Sequence, residues 1–413
     1  MYWLDTAMKS KRQLPSPRFV LPLINWGFPT LRRHKARMSK VVTVRDLQKI
    51  ARTRVPKAVY DYVEGGAHEE ISLARTANAF LRVELQPNVL RDISNVDTSI
   101  EIFGKKTAMP VIFAPTGYTR MMHHTGEPAV AEVAEKNNLV YCLSTMGTTA
   151  PDDLAAAVPG ARRWYQFYLM KDRQASLGFI KRAKDTGFEV LMLTVDTPVS
   201  GVRARDIRNG LTVPPKIGLK TFLDMTTKPN WWMNLLTTAP LEFAAFRGYK
   251  EPLAQLAAKI YDPTLNFEDI SWLRTVWDGP IIIKGVQSVS DAEKLADIGV
   301  QGIVLSNHGG RQLDKGPVMI ELLPKVAEKV GGRLDIYVDG GFMTGQDVVA
   351  AIAFGAKAVL IGRAYLYGIM ADGQNGVEKV VEILQAEISN TMALMGISKI
   401  SEINSSHAKL RNY

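Results

Sequence analysis

Cysteine is nearly missing from this chain: there is one, Cys142, in 413 residues. It lies inside the apolar run Leu139-Val140-Tyr141-Cys142-Leu143, which excludes an intramolecular disulfide, disfavours a thiol-ligated metal site and fits a reducing compartment. Long hydrophobic runs are missing as well, since no stretch reaches the roughly 18 apolar residues of a membrane span. The basic first forty residues have their apolar part broken by Pro22, with no small-residue cleavage site after it, which argues against a secretory signal. A Gly-x-Gly-x-x-Gly turn is absent, which removes the main signature of an open dinucleotide-binding sheet. Acidic residues are in deficit, 41 against 51 Lys and Arg, giving a net charge of +10. That balance favours anionic ligands or an anionic surface. No basic helix is interleaved with aromatics, so nucleic acid is not an expected partner.

What is present is a repeat. Residues 1–42 read as an arm and residues 43–413 as one large domain. The domain opens with a helix capped by Thr43 and a second that starts near Pro56 and ends about Gly65-Gly66. From Pro110 onward, eight short β-rich runs each precede a turn and a helical stretch: Pro110 to Ala114, Val140 to Leu143, Trp164 to Leu169, Val190 to Val195, Ile281 to Ile283, Gly302 to Leu305, Ile336 to Val338 and Ala358 to Ile361. Eight β-α units predict an α/β protein of the (β/α)8 barrel class, a TIM barrel, with an N-terminal helical segment. The connection after the fourth run is far longer than usual, so residues from about 210 to 270 form an insertion or lid. Its Phe222, Trp231-Trp232-Met233 and Phe243 either face a lipid or partner surface or pack down on the barrel.

Polar residues fall where such a barrel has its mouth, at the carboxyl ends of the runs: Pro115-Thr116-Gly117, Ser144, Tyr168, Asp196, Lys284, His308-Gly309-Gly310-Arg311, Asp339-Gly340-Gly341 and Gly362-Arg363. A purely structural barrel has no reason to crowd them there. In Ser306-Asn307-His308-Gly309-Gly310-Arg311-Gln312-Leu313-Asp314, a strand ends on a potential base and a potential carboxylate binder, joined by glycines that let backbone approach a ligand. Gly340-Gly341 and Gly362-Arg363 occupy the usual barrel phosphate position after strands seven and eight.

Ser306 to Asp314, together with Thr194-Val195-Asp196-Thr197-Pro198, Arg203, Asp339-Gly340-Gly341 and Gly362-Arg363, resembles the FMN-dependent 2-hydroxy-acid oxidase and dehydrogenase family over about Thr43 to Gly396. Ala114-Pro115-Thr116-Gly117, Arg203-Ala204-Arg205-Asp206 and Gly362-Arg363-Ala364-Tyr365-Leu366-Tyr367 are most similar to its bacterial quinone-linked L-lactate dehydrogenases. The resemblance implies FMN as cofactor, His308 as base and Asp196 as the carboxylate stabilising its imidazolium. It further implies Arg203, Arg311 and Tyr62 on the substrate carboxylate, with Tyr168 on the substrate hydroxyl. For FMN it implies Lys284 beside the flavin, Ser144, Gln166 and Thr194 at the pyrimidine edge, and the Pro115-Thr116-Gly117 backbone against the ring. Ser306 and Asp339 are also implied cofactor residues, and Gly341, Gly362 and Arg363 implied phosphate contacts. Met343 stands where the family commonly has a second phosphate arginine, which should weaken cofactor retention. Gly117 and Met146 match pocket-wall sites.

The expected reaction is oxidation of an (S)-2-hydroxy acid, L-lactate first, with a quinone or similar electron acceptor. A homotetramer or larger assembly is expected, in the cytoplasm or peripheral at the inner face of the cell membrane. The alternatives are an oxygen-using oxidase of longer or aromatic acids, an FMN barrel enzyme of another reaction type, and a non-catalytic flavin or phosphate binder.

Overall fold

A computed structural model of the chain describes residues 37–211, 218–247 and 260–411. The expected arm lies outside them up to residue 36, as do residues 212–217 and 248–259 of the insertion. The chain divides into compact units at residues 1–40 and 41–413, and the second carries the fold described below.

Three helices lead in: α1 (Val44–Arg54), α2 (Lys57–Glu64) and α3 (Ile71–Phe80). The α1 start is set by a capping box, in which the Thr43 hydroxyl accepts from the Asp46 N–H while Asp46 accepts from the Thr43 N–H. Eight parallel strands then close on themselves: β1 (Val111–Phe113), β2 (Val140–Ser144), β3 (Arg162–Phe167), β4 (Val190–Thr194), β5 (Ile281–Val286), β6 (Gly302–Leu305), β7 (Asp335–Asp339) and β8 (Ala358–Ile361). The barrel is thus the one the alternating pattern predicts, and its strands fall within two residues of the predicted bounds except β5, which runs three residues further, to Val286.

All residues of β1, β2, β4, β5, β6 and β8 are buried, which is why these strands read as continuous apolar runs rather than as an alternation. The interior is filled by Ile112, Cys142, Trp164, Met192, Ile282 and Val304, with Ile102 of a short hairpin, Ile100–Ile102 with Lys105–Thr107, closing the base. Trp164 meets Tyr337 edge to face at 5.6 Å. Cys142 is fully buried and its thiol is pushed up by that burial, so it acts as a core residue.

The barrel helices are α4 (Gly126–Lys136), α5 (Pro151–Ala157) and α6 (Arg173–Asp185), then, after the insertion, α10 (Glu268–Val276), α11 (Val289–Ile298), α12 (Met319–Val330), α13 (Gly345–Ala353) and α14 (Arg363–Leu394). Between β4 and β5 lie α7 (Ala204–Asn209), α8 (Leu219–Thr226) and α9 (Pro229–Leu236). Neither α8 nor α9 buries a residue fully. α14 breaks at Asp372 and Gly373, where a side chain on Gly373 would come within 2.7 Å of the His123 ring.

Candidate active site

Register brings the first polar group together. Ser144 lies level with Gln166, and Thr194 with Lys284, at the carboxyl ends of β2 to β5. Ser144 Oγ donates to Gln166 Oε1 at 2.9 Å, and Gln166 Nε2 donates to Thr194 Oγ1 at 2.9 Å, a continuous polar ladder across three strands. Lys284, 4% exposed, pairs with Asp339 at 2.9 Å and donates to Ser306 Oγ at 2.9 Å. Burial opposes its charge, but Asp339 and Asp196 outweigh that cost and hold its pKa above the ordinary lysine value.

His308 sits in the left-handed region at φ 56°, followed by Gly309 at 63° and Gly310 at 74°. Three such residues in succession turn the chain sharply, and a side chain on Gly309 would lie 2.9 Å from Arg363 Nη1. The His308 N–H donates to Ser306 Oγ at 3.0 Å, and its Nδ1 lies 3.1 and 3.2 Å from the two Asp196 carboxylate oxygens. Burial works to raise the Asp196 pKa, yet His308 and Lys284 together hold it below the ordinary carboxylate value. Asp196 therefore accepts, which places the imidazole proton on Nδ1 and its lone pair on Nε2.

Two arginines lie over the ring of Tyr62, Arg203 at 5.6 Å and Arg311 at 5.0 Å from its centroid. Arg203 Nε pairs with Asp206 at 3.2 Å. Arg311 Nη1 donates to the carbonyls of Tyr62 at 2.6 Å and Gly65 at 2.9 Å. Arg363 donates to Val63 O at 3.0 Å, to the same Gly65 O at 3.2 Å and to Gly309 O at 2.8 Å. The Tyr62, Val63 and Gly65 carbonyls form the C-terminal end of α2, where the helix dipole favours cations. Burial first, then Arg203, lowers Arg311 to about 10, which leaves it charged at neutral pH.

A cavity of about 1370 Å³ joins these groups. Of the predicted residues, Tyr62, Pro115, Thr116, Gly117, Ser144, Gln166, Tyr168, Thr194, Arg203, Lys284, His308, Arg311, Asp339, Gly341, Gly362 and Arg363 line it. Ser306 and Asp196 do not. Ser306 is wholly buried behind Lys284 and His308 and holds both, and Asp196 stands behind the imidazole. Arg363 is tied to backbone rather than presented free. Thr116 directs its hydroxyl to Tyr365 at 2.6 Å, which leaves its backbone for a ligand.

Asp206 and Tyr118 are among the wall residues that carried no sequence-derived role. Asp206 orients Arg203, and its three-residue spacing on a helix was the available signal. Tyr118 projects from a left-handed turn that depends on tertiary contacts and leaves no such signal.

The residues fit a phosphorylated flavin. Asp339 Oδ1 is a buried acceptor without a partner, which a ligand hydroxyl would satisfy. Gly340 and Gly341 stand at φ 95° and 91°, and a side chain on Gly341 would strike Thr76 and Phe80 at 2.6 and 2.8 Å. The wall carries four cations, Arg203, Lys284, Arg311 and Arg363, against the carboxylates Asp206 and Asp339. The volume exceeds the roughly 300–1,000 Å³ of an ordinary single-ligand site, leaving room for cofactor and substrate together.

The family model described as FMN-dependent dehydrogenase matches residues 51–410. A Mycobacterium tuberculosis protein provisionally named an L-lactate dehydrogenase is 43% identical over 400 residues, covering 97% of each chain. An L-lactate dehydrogenase of Caulobacter vibrioides is 38% identical over 373 residues, 88% of this chain and 96% of its own. Among solved structures, one described as the monotopic membrane protein (S)-mandelate dehydrogenase superposes with a TM-score of 0.86 at 34% identity, covering 90% of this chain and 100% of that one.

Proposed function

The chain belongs to the FMN-dependent dehydrogenase family, and on that premise we propose that it oxidises a small (S)-2-hydroxy acid, L-lactate before longer acids, and passes the electrons to a quinone or similar acceptor. The cofactor is FMN and the reaction class is 2-hydroxy-acid oxidation. Bound FMN supplies the two-electron acceptor for the substrate. Lys284, Ser144, Gln166 and Thr194 would hold its pyrimidine edge, the Pro115-Thr116-Gly117 backbone its ring face, Asp339 its sugar hydroxyls, and Gly341, Gly362 and Arg363 its phosphate.

The chain's own part is binding, orientation and proton transfer. Arg203 and Arg311, both against the Tyr62 ring, clamp the substrate carboxylate, and charge-assisted pairing fixes the α-carbon relative to the base. The Tyr62 hydroxyl adds a third contact. Tyr168 is held protonated by burial and is a standing donor for the substrate hydroxyl oxygen. His308 Nε2 takes a proton from the substrate, and Asp196 on Nδ1 stabilises the imidazolium that results. The observation that carries this reading is the meeting, in one cavity, of a carboxylate-backed imidazole and two arginines. Anaerobic mixing of the FMN-loaded protein with a panel of (S)-2-hydroxy acids should bleach the flavin absorbance, and bleaching by none of them would overturn it.

The acceptor and location rest on the insertion. Phe243 packs down, 5% exposed, whereas Leu219, Phe222, Leu223, Met233 and Leu236 on α8 and α9 are more than half exposed. Apolar side chains on short surface helices favour a lipid interface, and the basic balance favours an anionic one. No described helix is long and apolar enough to cross a membrane, and the proposed location is the cytoplasm or the periphery of the inner face of the cell membrane. The resemblance supports a homotetramer or larger assembly, with residues 1–42 as an arm to the catalytic domain.

A second reading is an oxidase that reacts with oxygen and takes longer or aromatic acids. It is favoured by the apolar wall that α8 and α9 add to the cavity. Stoichiometric hydrogen peroxide during turnover would decide for it.

A further inference from the structure

Tyr118 has an unusual backbone for its type. It stands at φ 57°, where a glycine or asparagine would hold the turn at lower cost. The conformation is fixed by its N–H donating to Met146 O at 3.0 Å and by Met121 N–H donating to Tyr118 O at 2.9 Å. A strained residue kept as tyrosine implies that the side chain is used.

That side chain lines the cavity and meets Phe243 edge to face, centroids 4.5 Å apart. Phe243 comes from the middle of the insertion, which is docked there by Ala244 N–H donating to Gly147 O at 3.1 Å. Two further ties bind the same two segments. Arg120 donates to Thr238 Oγ1 at 2.9 Å and to Ala239 O at 2.7 Å, and Trp231 Nε1 donates to Met121 O at 2.8 Å. The loop after β1 and the insertion after β4 thus form one continuous wall.

The same cavity has an apolar region lined by Phe222, Met225, Trp232, Leu235 and Leu241 of the insertion. Burial, then Tyr62, pushes the Tyr118 phenol up to about 12, so it stays uncharged near the tyrosine against whose ring both arginines lie.

We propose that the Tyr118–Phe243 pair sets the size of substrate accepted, closing the side-chain end of the 2-hydroxy-acid compartment against the apolar region under α8 and α9. This deepens the functional reading above and rests on it. The pair acts by filling space, so the ring matters and the hydroxyl does not. Small acids such as L-lactate lose nothing to the closure, while an acid with a long alkyl chain meets the ring edges.

The test measures kcat/KM for L-lactate and for (S)-2-hydroxyoctanoate, with a dye acceptor, in FMN-loaded wild type, Y118A, F243A and Y118F. Removing either ring should shift the ratio toward the long acid by about tenfold or more, on the scale of side-chain discrimination by apolar pockets. Y118F should keep the wild-type ratio. Ratios within twofold of wild type in both Y118A and F243A, with flavin still bleached by lactate, would overturn the inference and leave the functional reading standing. If Y118A does not fold, F243A decides by the same criterion. Failure of both acids to bleach the wild type would remove the functional reading and the inference with it.

Discussion

Replacing Asp196 with asparagine isolates one charge. The amide oxygen still accepts from His308 Nδ1 across the observed 3.1 Å, so the imidazole keeps its direction and its lone pair on Nε2, and only the carboxylate charge is lost. Two unit charges about 4 Å apart interact by about 4 kcal/mol at an effective dielectric constant of about 20. The Asp196 side chain is 1% exposed, so that value suits the site. Lys284 lies near enough to draw on the same carboxylate, and its share must be subtracted. The remainder, converted at about 1.4 kcal/mol per decade, slows flavin reduction by about 10²- to 10³-fold. Anaerobic stopped-flow with saturating L-lactate reads that rate directly, and FMN fluorescence titration confirms that cofactor binding is unchanged. A D196N protein that reduces its flavin within threefold of wild type would refute the role given to this carboxylate.

Three other outcomes follow from the geometry. Met343 lines the cavity where a phosphate cation is absent, so M343R should tighten FMN binding by about tenfold or more, the scale of one charged hydrogen bond, as read by fluorescence titration. Burial, then His124 and Arg54, lowers the His123 pKa to about 4. An unfolded imidazole titrates near 6.5, so the unfolded state binds the proton first and stability falls on acidification between about 6.5 and 4, by up to ~3 kcal/mol. Urea unfolding of H123N across that window should lack this part of the pH dependence. Replacing Leu219, Leu223 and Met233, which are exposed and do not line the cavity, with serine should abolish sedimentation with anionic vesicles while leaving flavin reduction by lactate within twofold of wild type.

The architecture was legible because a parallel barrel writes itself into sequence as buried apolar runs separated by helices, and Gly302 to Leu305 and Ala358 to Ile361 match residue for residue. The convergence of His308, Arg203, Arg311 and Lys284 on one cavity was legible from their place after those runs. What could not be read is the depth at which each group sits. Ser306 lies behind Lys284 rather than on the wall, a position that depends on packing between distant segments, whereas the brace of Asp206 on Arg203 is a local contact three residues apart. The insertion was legible as a length anomaly only. Its Phe243 is buried because Ala244 docks on Gly147, a contact across about a hundred positions, while Phe222 stays more than half exposed on the cavity wall.

The last turn of α2 has a wider consequence. Its carbonyls are the acceptors on which Arg311 and Arg363 both rest, with Gly65 O shared between them. Trimming the protein to its eight strands and their own helices would therefore strip out the scaffold that aims both guanidiniums. Minimal-barrel engineering or circular permutation of this chain has to carry that short segment along, however remote it stands from the chemistry in chain order.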